Sequence, residues 1–181
     1  MKKIFRYIWS LWEYIFAKID RIHNVGDDDS ALRIAIKTYH GKKIILKDGT
    51  TISRGDKYGE LHLNNKMLTK ITSKNSSPVS IGITALREFK KSLKVFKKYI
   101  NENREFDNIN VFMGYSLFNQ GIELLGFEVR DIKSPLERFI FTYYEMLLLV
   151  IFHPDGFKRL KNNKFTAKLV LISKNTINNN Y

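Results

Sequence analysis

Cysteine is absent from all 181 residues, so the chain can hold neither a disulfide nor a thiolate metal site, and a structural zinc is disfavoured. Acidic residues are scarce: 18 Asp and Glu stand against 31 Lys and Arg, a formal net charge of +13. Such a balance attracts polyanions, whether nucleic acid, an anionic membrane surface or an anionic glycopolymer, and does not choose among them. Nor is there an unbroken apolar run of spanning length. Arg6, Glu13, Lys18, Asp20 and Arg21 interrupt the aromatic-rich amino-terminal stretch, and no small-residue cleavage pattern follows it, so neither a signal peptide nor a transmembrane helix is expected there. Several catalytic signatures are missing as well: no GxSxG elbow, P-loop, GxGxxG or HExxH occurs, and no acyltransferase-type Asp follows His62 or His153.

What is present suffices for a folded domain. A hydrophobic fraction of 44% with 13% aromatics excludes global disorder, and the length suits one domain with a real core. Residues 1–23 read as an amphipathic helix: Ile4, Ile8, Leu11, Ile15, Ile19 and Ile22 recur at helical spacing, and Phe5, Trp9, Trp12 and Phe16 widen the stripe. Two placements stay open, on the domain's own core or on a bilayer. Trp and Tyr flanked by Lys and Arg favour the headgroup region, so Trp9 and Trp12 are the expected membrane contacts. Asp27, Asp28 and Asp29 lack the remaining ligands of a calcium loop and read as a solvated connector.

Residues 31–173 read as a single α+β domain, a mostly antiparallel sheet packed against two long helices, before a polar, disordered tail at 174–181. Leu32 to Tyr39 alternates as a strand, with Lys42 to Leu46 as its expected hairpin partner, and Lys47-Asp48-Gly49-Thr50 supplies a tight turn. A helix is predicted over residues 80–102. Phe89, Leu93, Phe96 and Ile100 lie on its buried stripe, while Lys90, Lys91, Lys94, Lys97 and Lys98 form a solvated face. That lysine face lacks interleaved aromatics and any nucleic-acid-binding motif, which disfavours a nucleic-acid partner. Strands are expected over 110–115, 126–131 and 165–173. Ser134-Pro135 opens a second helix, apolar nearly all round and therefore expected to be a buried central helix, ending at His153-Pro154-Asp155-Gly156.

The candidate site lies in Gly55-Asp56-Lys57-Tyr58-Gly59-Glu60-Leu61-His62-Leu63-Asn64-Asn65. Strand side chains alternate between faces, so Tyr58, Glu60, His62 and Asn64 are expected on one side and Leu61 and Leu63 on the other. An imidazole oriented by a carboxylate is a general-base arrangement, with His62 the base or donor and Glu60 its orienter. Asp56, Asn64, Asn65 and His153 are the candidate substrate-binding groups. No ligand spacing calls for a metal, and no pattern names a cofactor.

These segments resemble the YkoP-like domain family of low-GC Gram-positive bacteria. The resemblance rests on the Gly55 to Asn65 run, then Glu88 with Ser92-Leu93, Gly114 to Leu117, Leu125 to Val129, and His153 with Gly156. Tyr115-Ser116 and the Asn-rich tail depart from it. The resemblance implies association with polysaccharide deacetylases and so points to envelope glycan or lipid-linked sugar metabolism; it implies no particular reaction. Three functions follow. The first is a cytoplasmic protein, peripheral at the inner face of the plasma membrane, that binds or acts on an envelope glycan or lipid-linked precursor. The others are a non-catalytic module targeting a partner enzyme to the membrane and a basic nucleic-acid binder. Neither reaction nor oligomeric state is legible.

Overall fold

Two heptapeptides with alternating side chains build the centre of the molecule. β2 (Leu32–Thr38) and β5 (Lys57–Leu63) pair antiparallel over their full lengths, Leu32 opposite Leu63 and Thr38 opposite Lys57. The structure is a computed structural model and describes residues 18, 20–26, 30–64, 71, 78–117, 119–152 and 166–181. The other elements are β1 (His23–Asn24), β3 (Ile44–Ile45), β4 (Thr51–Ile52), α1 (Pro78–Glu102), β6 (Val111–Ser116), β7 (Glu128–Asp131), α2 (Pro135–Phe152), β8 (Lys168–Ser173) and α3 (Lys174–Asn180). A mixed sheet of six strands runs β1-β2-β5-β6-β8-β7, and β3 with β4 forms a separate ribbon. Every neighbouring pair is antiparallel except β5 and β6. A parallel pair needs a crossover, and α1 lies within it.

Alternation gives the sheet two unlike faces. Leu32, Ile34, Leu61, Phe112 and Ile172 point to the front, where they share one core with Phe89, Leu93, Phe96 and Ile100 of α1. Those four helix residues recur at the spacing expected from the sequence, and burying each contributes about 1.5–3 kcal/mol. Gly59 is a glycine for steric reasons. A Cβ there would stand 2.3 Å from Phe112, whose ring packs edge-on against Phe96 with centroids 4.9 Å apart.

The back face carries Arg33, Ala35 and Lys37 of β2, Tyr58, Glu60 and His62 of β5, and Met113 and Tyr115 of β6, as the register requires. The β3–β4 ribbon covers part of it, setting Leu46 and Ile52 on Val111, Met113 and Leu171. Polar ties hold that ribbon down. Glu128 accepts from the Lys47 N–H, Arg130 donates to the Ile45 carbonyl at 2.5 Å, and the Ser173 hydroxyl donates to Asp48. Another part is covered by α2, through Phe141 and Met146 against the cluster of Leu117, Ile132 and Ala167.

Three expectations change. The segment after β2 does not fold back on it: β3 pairs with β4 across the Leu46–Thr50 turn, because β2 is already flanked by β1 and β5. α2 is not a buried central helix. Its Ser134 cap is as expected, accepting from the Glu137 N–H at 3.3 Å, yet only one side of the helix meets the sheet and Leu136, Phe139, Ile140 and Tyr143 are exposed. The carboxyl terminus is ordered rather than a loose tail. Ser173 caps α3 by accepting from the Thr176 N–H at 2.9 Å, Ile177 is buried, and the Tyr181 hydroxyl donates to the Leu125 carbonyl at 3.0 Å. The expected amino-terminal helix lies almost wholly outside the described residues. Among the described residues no helix is long and apolar enough to cross a membrane.

Candidate functional site

Glu60 and His62 emerge side by side from the back of β5 because two residues of strand return the chain to the same face. The imidazole Nε2 lies 3.2 Å from Glu60 Oε2, and the two side chains keep 29% and 21% of their exposure. Arg33 is the register partner of His62 on β2 and lies on the same face of the sheet. On the other flank the parallel register continues toward Tyr115 of β6, since Glu60 is level with Met113.

Phenols gather around the carboxylate. Tyr39 and Tyr58 pack edge-on with centroids 6.2 Å apart, and Tyr115 lies flat on Phe141 of α2 at 3.7 Å. Burial, then the charge of Glu60, pushes the Tyr58 hydroxyl well above its ordinary range. Burial, then the charges of Glu137 and Glu60, raises Tyr115 to about 12. Both therefore remain protonated donors at neutral pH. Lys37, level with Tyr58, is held by Asp20 at 2.6 Å.

A second acid lies close by. One turn after Phe141, Glu145 accepts from the Leu117 backbone N–H, two residues beyond Tyr115, so α2 and β6 run the same way here. Burial raises its carboxyl from 4.5 to about 7, with the Leu117 bond opposing the rise. The back face thus combines a carboxylate-oriented imidazole, a guanidinium, protonated phenols and an acid poised near neutrality. Arg33, Tyr39, Tyr115 and Glu145 were not singled out as site residues from the sequence. A lone Glu within the apolar run Thr142 to Val150 was the available signal for one of them, since an acid in such a run must either be solvated or shift its proton affinity.

The other candidate residues sit elsewhere. Asn64 is buried just past the end of β5, its amide donating to the Ser30 carbonyl at 3.0 Å, so it fastens the start of β2. Asp56 occupies the turn before β5, accepting from the Ser53 N–H at 2.7 Å. Six steps along the extended chain separate it from His62, roughly 20 Å at ordinary strand rise. There it lines an open hollow of about 400 Å³ with Thr51, Lys57, Asn108 and Asn110. Trp9, Trp12, Asn65 and His153 lie outside the described residues. On α1, Lys91 pairs with Glu88 at 2.7 Å, Lys98 with Glu102 at 3.8 Å, and Lys97 donates to the Asn178 carbonyl at 2.9 Å.

Comparison with known proteins gives these features a family. A Bacillus subtilis (strain 168) protein described as "Uncharacterized protein YkoP" is 27% identical over 183 aligned positions, which span all of this chain and 98% of the relative. No solved structure matches the chain. The family model described as the YkoP domain matches residues 2–181, and the chain accordingly belongs to the YkoP domain family.

Proposed function

We propose that this chain is a membrane-peripheral protein that binds or acts on an envelope glycan or a lipid-linked sugar precursor through the back face of its sheet. The observation that carries this reading is the 3.2 Å Glu60–His62 pair on a half-buried surface. His62 serves as base or hydrogen-bond donor, and Glu60 fixes its tautomer and orientation. Protonated Tyr58 and Tyr115 supply donors of the kind a polyhydroxyl ligand engages. Arg33 brings the group best suited to a phosphate, which lipid-linked sugars carry. The net charge of +13 favours an anionic surface as the place of work.

A second reading, a non-catalytic module that brings a partner enzyme to the membrane, draws on the exposed apolar side of α2. Binding to anionic vesicles, with and without a polyprenyl diphosphate sugar, separates the two. On the first reading His62→Ala keeps the melting temperature, keeps binding to plain vesicles and loses at least tenfold in affinity for the doped ones. If wild type and His62→Ala bind both kinds of vesicle equally, the site has no part in ligand recognition. Polar substitutions at Trp9 and Trp12 are expected to release the protein from both.

A further inference from the structure

The side of α2 turned away from the sheet is unusually apolar. Leu136, Phe139, Ile140, Tyr143, Tyr144 and Leu147 are 43–68% exposed, while Phe141, Glu145 and Met146 take up the inward side. At 100° per residue these two sets fall on opposite sides of the helix. The exposed surface of the six amounts to on the order of 700 Å² per chain, above what a typical monomer leaves in one patch.

We propose that this face is a self-association surface, on which the α2 helices of two copies of the chain pair about a twofold axis. Three observations favour a second copy over a bilayer. Leu136, Ile140, Tyr143 and Leu147 are spaced four, three and four residues apart, the alternation that keeps a stripe facing a partner helix. Two such faces would bury an area in the range of ordinary stable dimers, about 1,200–2,000 Å² in total. The charge gives no help to an anionic surface: the exposed ionisable residues of α2, Glu137 and Arg138, cancel. The exposed lysines of α1 stand on the opposite side of the sheet, so they cannot rim the patch. Pairing through the outer side of α2 would brace the inner side, where Phe141 and Glu145 rest on β6. The inference holds whether or not the Glu60–His62 pair binds a glycan.

Sedimentation equilibrium of the full chain at micromolar concentration tests it. The expected mass is twice 21.3 kDa, falling to that of one chain in Ile140→Asp/Tyr143→Asp. Because both positions are exposed, the monomeric variant should keep its near-ultraviolet circular dichroism. A second measurement stands if that variant fails to fold. The chain has no cysteine, so Tyr143→Cys introduces a lone thiol that should cross-link two copies under mild oxidation, whereas Lys94→Cys on α1 should not. A monomeric wild type, a dimer that survives the double substitution, or equal cross-linking from Lys94→Cys would each overturn the proposal. So would a wild type that stays monomeric and uses this face to bind anionic vesicles.

Discussion

Replacing Glu145 with glutamine should stabilise this protein at alkaline pH and leave it unchanged in acid. Glutamine has the same shape and can still accept from the Leu117 N–H, but it never ionises. Burial raises the carboxyl from 4.5 to about 7 in the folded chain. Below 4.5 the group is protonated in both folded and unfolded chains and adds no pH-dependent term. Between those values the unfolded chain loses its proton first, so folding is progressively penalised, and above about 7 the penalty is complete. Each tenfold change in proton affinity is worth about 1.4 kcal/mol, which makes the full cost about 3 kcal/mol. For a chain of this length that is about 6–12 °C in melting temperature. Thermal unfolding followed by far-ultraviolet circular dichroism should therefore show Glu145→Gln melting well above wild type at about pH 8, with the gap closing near the ordinary carboxylate range. A gap that does not vary with pH, or a variant that melts lower at alkaline pH, would refute the assignment of Glu145 as a desolvated acid.

Two further outcomes follow from the packing. Gly114→Ala would place a methyl 2.6 Å from the Leu61 carbonyl oxygen, a backbone atom that cannot swing aside, and should cost about 1–3 kcal/mol in urea unfolding. Asp48→Ala removes the acceptor that ties the β3–β4 turn to Ser173 and Thr176 and should cost about 1 kcal/mol. Partial burial of Asp48 opposes its ionisation, but hydrogen bonds from Ser173 and Thr50 hold the carboxyl below its ordinary value of 3.8. Its contribution is therefore present above that value and lost as the pH falls through the folded-state value, a loss the alanine variant should not show.

Much of the central sheet could be read from residue order alone, because strand alternation is a local signal. Leu32, Ile34 and Ile36 line up inward as expected, and Tyr58, Glu60 and His62 share the opposite face. The α1 stripe and the Ser134 cap were legible for the same reason. What failed was partnership. Nothing within Lys42 to Leu46 says that β2 is already flanked on both sides, so its own turn wins and it pairs with β4. Apolarity all round α2 reads as burial, although Leu136, Phe139, Ile140 and Tyr143 on one side stay exposed. The tail looked too polar to order, yet Ile177 and Tyr181 anchor α3 to the core and the Leu125 carbonyl. The site divides similarly: Glu60 with His62 is a contact within one strand, whereas Arg33, Tyr115 and Glu145 arrive from elements far away in the chain.

The single parallel contact between β5 and β6 is a narrow seam in the sheet. It comprises only two rungs, Gly59 with Phe112 and Glu60 with Met113, against seven between β2 and β5 and six between β6 and β8. The sheet is therefore two antiparallel leaves of three strands joined along a short fold line. His62 stands on one leaf and Tyr115 on the other, both beyond the last rung. Any flexing along that line would change the gap between imidazole and phenol and leave the Glu60–His62 contact, carried on one leaf, unchanged. Ligand-dependent amide protection should thus concentrate at residues 61–64 and 114–117, beside the fold line, rather than in the outer strands β1 and β7.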